Sequence, residues 1–170
     1  AFSSAGPRGA YIFHARSASS DVIDADAVKY VDNLGRVQVH VFVLVRTGVD
    51  VPTVLQLVRT RLAEENIGPL TDDVLTIAAT PASFNVEAVL EIGRGPSPAV
   101  VVQNAKAALT KYLADRRKIG LRATTSGISA ALTVGGVDKV RLASPSADIN
   151  PPDGGFPEVG TITITSEVVA

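Results

Sequence analysis

The sequence predicts an α/β fold of the α+β type, built as two small modules whose helices pack on a mixed or antiparallel sheet. Three observations lead to it. Two runs, residues 37–45 and 84–92, alternate side chains with the period of a strand. A turn region containing Gly and Pro follows each run, and then a segment whose apolar residues recur at spacings of three and four. Finally, the order short helix, tight turn, strand in 11–28 returns in 128–143, as expected of two related units. The boundary falls at Thr80-Pro81, between one strand and the next, and divides the chain into 1–80 and 81–170.

In the first module, VQVHVFVLV places Val37, Val39, Val41, Val43 and Val45 on one face of a strand, with Gln38, His40, Phe42 and Leu44 on the other. Asp50 and Pro52 then offer a helix start. Val51, Val54, Leu55, Val58 and Leu62 form its apolar stripe to about Asn66, where Gly68 and Pro69 stop it. Val74 to Ala79 reads as the next strand.

The second module opens on Phe84, Val86, Ala88, Leu90 and Ile92, which alternate with Asn85, Glu87, Val89 and Glu91 and imply a polar outer face. Gly93, Gly95, Pro96 and Pro98 turn the chain into a helix from 98 to about 117. Its stripe is Val101, Ala105, Ala108 and Tyr112, with Val102, Leu109 and Leu113 beside it. Thr124 to Val134 reads as a short helix, capped by Thr124 or Thr125 and ended by Gly135. Strands at 136–143 and 159–168 follow, separated by a long surface loop rich in Pro, Asp and Gly.

Composition narrows the function. With 46% hydrophobic residues and a mean hydropathy of +0.26, the 170-residue chain can bury a core and is not disordered as a whole. Lys and Arg number 16 against 17 Asp and Glu, so the bulk positive charge for non-specific nucleic-acid binding is missing. No apolar run reaches the roughly 18–20 residues that span a bilayer. Cys is absent, which removes disulfides, thiol nucleophiles and thiolate metal sites together. Met is absent too, so the chain is expected to be part of a longer protein.

The candidate chemical sites are thin. Asp21, Asp24 and Asp26 crowd one strand but lack the glycine and terminal glutamate of a calcium loop. His14 and His40 have no HExxH or paired-carboxylate pattern around them. Gly93-Arg94-Gly95 leads into a helix N-terminus, where backbone N–H groups attract anions, yet it lacks the rest of a phosphate-binding fingerprint. Lys111, Arg116, Arg117, Lys118 and Arg122 cluster where the macrodipole favours cations, without the aromatic residues of a single-strand groove. Ser126, Ser129, Ser144 and Ser146 have no nucleophile elbow and no adjacent His. The expectation is a protein without catalytic residues, metal or cofactor.

A longer pattern carries more. Gly6-Pro7-Arg8-Gly9-Ala10-Tyr11-Ile12-Phe13-His14-Ala15-Arg16-Ser17-Ala18-Ser19, followed by Asp21-Val22-Ile23-Asp24, resembles the central part of baseplate J-like proteins of contractile-tailed bacteriophages. Arg46-Thr47-Gly48-Val49-Asp50-Val51-Pro52 resembles that family's strand-to-helix turn. Pro69-Leu70-Thr71-Asp72-Asp73-Val74 resembles its Arg-Pro-Leu-Thr-Asp block, with Gly68 where Arg is usual. Gly93-Arg94-Gly95-Pro96, Tyr112-Leu113 and Gly135-Gly136-Val137-Asp138-Lys139-Val140 continue the likeness to about residue 165.

The resemblance implies the latter part of the family's central domain plus its C-terminal domain. It also implies a structural, non-enzymatic part in the wedge of a tail baseplate. Partners would then be other wedge proteins and neighbouring copies, with no membrane or specific nucleic acid, in a virion assembled in the host cytoplasm and possible for a prophage to encode. The same parts serve tailocins and other contractile injection machines, so that equivalent role stays open beside a small-ligand or anion-binding enzyme domain using the Gly93 turn. Contact surfaces are expected at Thr161 to Thr165, at 150–157 and at the charged end of the second long helix. In isolation the chain is expected to be a monomer or a weak dimer.

Overall fold

The computed structural model describes residues 7–64, 73–95 and 97–169, and the chain divides into two compact units, 1–80 and 81–170. The expected stop at Gly68 and Pro69 and the block around Leu70 to Asp72 lie outside the described residues.

The first unit runs α1 (Pro7–Ser17), β1 (Val22–Val31), β2 (Val37–Val45), α2 (Val51–Glu64) and β3 (Asp73–Ala78). β2 is the middle strand, antiparallel to β1 and parallel to β3. A parallel neighbour needs a crossover, and α2 provides it. Asp50 starts α2 as the sequence suggests, since its carboxylate accepts from the Thr53 amide at 3.1 Å. Val54, Val58 and Leu62 are the buried stripe of α2. They meet Val39, Val41, Val43 and Val45 of β2, with Tyr11 and Ala15 of α1 completing the core. Phe42 and Leu44, on the opposite face of β2, are buried as well. The C-terminal half of that strand is therefore apolar and covered on both sides, unlike a half-solvated strand.

The second unit runs β4 (Thr80–Ile92), α3 (Pro98–Arg116), α4 (Thr125–Leu132), β5 (Val137–Ser144) and β6 (Gly155–Val168). β4 lies in the middle of the order β5-β4-β6 and is antiparallel to β5. The Thr161 amide meets Asn85 and the Val169 amide meets Ile92, so β6 runs in the direction of β4. The buried line of α3 is Val101, Ala105, Leu109 and Leu113. Ala108 and Tyr112, expected on the stripe, flank it instead, because the strict four-residue step is what faces Leu90, Ile92, Ile128 and Leu132.

Two further details differ from what the sequence predicts. The glycine that turns left-handed after α4 is Gly136, at φ +94°, and not Gly135; Thr133 closes the helix first, its amide bonding to Ala130 and Ser129. The loop before the last strand is shorter than expected. β6 begins at Gly155, and Gly154, Gly155, Phe156 and Pro157 are buried, because Phe156 supplies an apolar anchor inside the Pro/Gly stretch.

The echo between the halves has a structural form. In both sheets the middle strand has one antiparallel and one parallel neighbour. In both, one helix lies over the antiparallel edge strand and the other over the parallel edge strand, with the two helices in contact. What changes is the chain order: the helix–strand pair α1–β1 precedes its middle strand, whereas α4–β5 follows α3.

Candidate interaction surfaces

The residues singled out for chemistry are placed apart from one another. Asp21 precedes β1 and pairs with Arg46, while Asp26 pairs with Arg8 of α1 at 2.6 Å. Asp24 accepts from the Ala25 amide at 3.0 Å. A bulge between Val22 and Asp24 keeps Val22 and Ala25 inward and turns the acids outward. Among the described residues no three His, Asp or Glu side chains converge as a metal would require. His14 sits on α1 edge-on to Phe13, and His40 lies on β2 beside Tyr30, at 4.3 Å between ring centroids, and Phe42. The two imidazoles occupy different elements of the first unit.

Gly93 bonds through its amide to Gly136 at 3.4 Å, and the following helix is entered through Ser97, whose side chain makes no capping bond. Ser126, Ser129 and Ser146 do come together, in a shallow cleft with Thr125, Leu142 and Pro145. Ser144 instead donates to the Asn85 carbonyl. Three residues of the basic cluster, Lys111, Arg116 and Arg117, make side-chain contacts of their own. Lys111 pairs with Asp115 at 2.8 Å, and that hydrogen bond raises the Lys111 pKa and lowers that of Asp115. Arg116 lies over the Tyr112 ring, and Arg117 both pairs with Glu158 at 2.8 Å and covers Phe156. The end of α3 is thereby tied to the start of β6. Sequence alone gave no sign of that tie, because Arg117 and Glu158 lie 41 positions apart.

The structure presents surfaces more clearly than sites. β6 is an edge strand whose Thr161, Thr163 and Thr165 are exposed while Ile162 and Ile164 turn toward the core. On the same outer face Arg141 of β5 pairs with Glu91 of β4 at 3.2 Å and with Glu167 of β6, lacing the three strands together. At the other end of the chain the β1–β2 turn carries Val31 and Leu34, the latter 78% exposed. Asp32 accepts from the Leu34 and Arg36 amides and from the Arg36 guanidinium. The signal for this turn in the sequence is an apolar residue between Asn33 and Gly35.

The domain comparisons decide the family. The family model described as Baseplate J-like central domain matches residues 3–78, and that described as Baseplate J-like protein C-terminal domain matches 84–165. The chain belongs to the baseplate J-like family. Each of the two baseplate J-like matches falls within one compact unit, in the order in which the units follow along the chain. A baseplate J-like relative, "Baseplate protein J" of Escherichia phage P2, is 33% identical over 145 residues, which is 85% of this chain and 47% of that protein. The chain thus spans about half the length of the curated relative it matches. Among the described residues no helix is long and apolar enough to cross a membrane.

Proposed function

We propose that this chain is the latter part of the central domain and the C-terminal domain of a tail baseplate wedge protein. Its work is assembly through protein–protein contacts, and not catalysis. The observation that carries the reading is the paired match: both compact units resemble baseplate J-like domains, in order, and together the matches take in nearly the whole chain. The relative's name, a baseplate protein of a phage, supports the same reading. Of the residues named above, Asp21, Asp26, Lys111 and Arg117 are engaged in ion pairs, and the two imidazoles sit on separate elements. The partners are other wedge proteins and neighbouring copies, and the place is the baseplate of a virion assembled in the host cytoplasm. Genomic neighbours distinguish a phage from a tailocin or another contractile machine.

The test is co-expression of the full-length protein with the other wedge proteins of its gene cluster, followed by co-purification in moderate salt. A stable complex is expected. A chain that stays alone, and that turns over or tightly binds a small molecule, would replace this reading with an enzyme or ligand-binding one.

A further inference from the structure

We propose that the open edge of β6 pairs antiparallel with β6 of a second copy, about a two-fold axis through Thr163, and joins two three-stranded sheets into one of six. Natural edge strands are protected by Pro, Lys, bulges or a covering segment. The first residues of β6 are covered: the Gly120 amide bonds to the Gly155 carbonyl at 3.0 Å, and Arg117 holds Glu158 and Phe156. From Gly160 to Val168 the sequence GTITITSEV contains no Pro, Lys or Arg.

Backbone direction shows which groups are offered. The Thr161 and Val169 amides both point to β4. By the alternation of a strand, the N–H and C=O groups of Ile162, Ile164 and Ser166 then point to the open side. The occupant follows from the sequence of the edge itself. Thr161-Ile162-Thr163-Ile164-Thr165 reads the same in both directions, and only antiparallel pairing with an identical strand uses that symmetry. Centred on Thr163, it sets Ile162 opposite Ile164 of the second copy, as a pair exchanging both backbone hydrogen bonds. The same register sets Thr161 opposite Thr165, and Thr163 opposite its own copy, at the closer non-hydrogen-bonded positions.

The faces agree as well as the bonds. Ile162 and Ile164 belong to the core side and the three threonines to the exposed side, so both layers continue across the seam. No like charges meet, because Glu167 falls opposite Val159 and Glu158 opposite Val168.

The proposal rests on the assembly reading insofar as it names one of the neighbours that reading calls for. Its test is made on the 170-residue chain alone, so that the two can fail separately. The chain has no Cys, so a single introduced thiol reports one distance. In the T163C variant the two sulfurs face each other across a non-hydrogen-bonded pair with Cα atoms about 4.5 Å apart, within disulfide reach. In T161C they lie about four residues, or ~13 Å, apart. Both positions are exposed, so both variants keep the fold. Under mild oxidation T163C is expected to form a covalent dimer at least tenfold faster than T161C. T163K, which places two ammonium groups at the axis, is expected to shift sedimentation toward monomer with an unchanged far-UV spectrum. Equal rates for the two cysteine variants, or T163K sedimenting as the parent does, would overturn the pairing. Co-purification with wedge proteins reads the assembly role independently of either result.

Discussion

Tyr112 and Gly127 meet closely where α3 and α4 touch. The Tyr112 hydroxyl accepts from the Thr124 amide at 3.3 Å, and a Cβ at Gly127 would stand 2.1 Å from that oxygen. Gly127→Ala is therefore expected to cost about 1–3 kcal/mol by overpacking, measured by urea unfolding, and less when Tyr112→Leu opens the space. A second residue-scale consequence concerns acid. Asp148 accepts from the backbone N–H and the hydroxyl of Thr125, and these bonds hold its carboxyl below the ordinary 3.8. A depressed carboxylate pKa contributes stability above the unfolded value, and that contribution is lost as pH falls through the folded one. Asp148→Asn keeps an acceptor oxygen without the titration, so its stability is expected to fall less steeply than the parent's below about pH 4. Neither contact could be read from sequence, because Gly127 and Tyr112, like Asp148 and Thr125, are brought together by packing and not by spacing.

At the scale of elements, legibility followed periodicity. α2 and α3 were readable because their apolar residues repeat every three or four positions and because Asp50 and Pro98 mark their starts. β2 and β4 were readable by alternation. The start of β6 was not, since Pro151, Pro152 and Pro157 signal a loop locally while Phe156 is held by tertiary contacts. The same distinction applies to the surfaces: the Thr161–Thr165 edge was visible as a pattern, whereas the tie between Arg117 and Glu158 was not. Leu109, with no exposure in the line Val101, Ala105, Leu109 and Leu113, is the element-scale test of α3. Leu109→Ala is expected to cost about 2–5 kcal/mol, read from the midpoint of denaturant unfolding.

Over the whole molecule, the two buried clusters share no residue: one draws on Tyr11 to Leu62 and the other on Phe84 to Ile164. Substitutions in separate cores should therefore act separately. Leu109→Ala is expected to raise native-state amide exchange within 81–170 and leave the strands of the first unit protected, with Val58→Ala doing the reverse. Exchange rising equally in both units would show one cooperative body instead. The division was legible because both halves repeat the same helix and strand signals. The sheet order was not, since pairing between strands far apart in sequence leaves no local mark.

The transposed helix–strand pair has a kinetic consequence. In the first unit β1 and β2 are joined by a turn closed between Asp32 and Arg36, so two of its three strands meet as soon as that turn forms. In the second unit the middle strand has no such neighbour. Asn85 alone is bonded to residues 59 and 76 positions away. Closing those long loops costs chain entropy before any contact rewards it, and chains dominated by distant pairings fold more slowly. During synthesis and refolding, the first unit should reach its native hydrogen bonds while the second still waits for its last strand. Until β6 docks, β4 has no parallel neighbour.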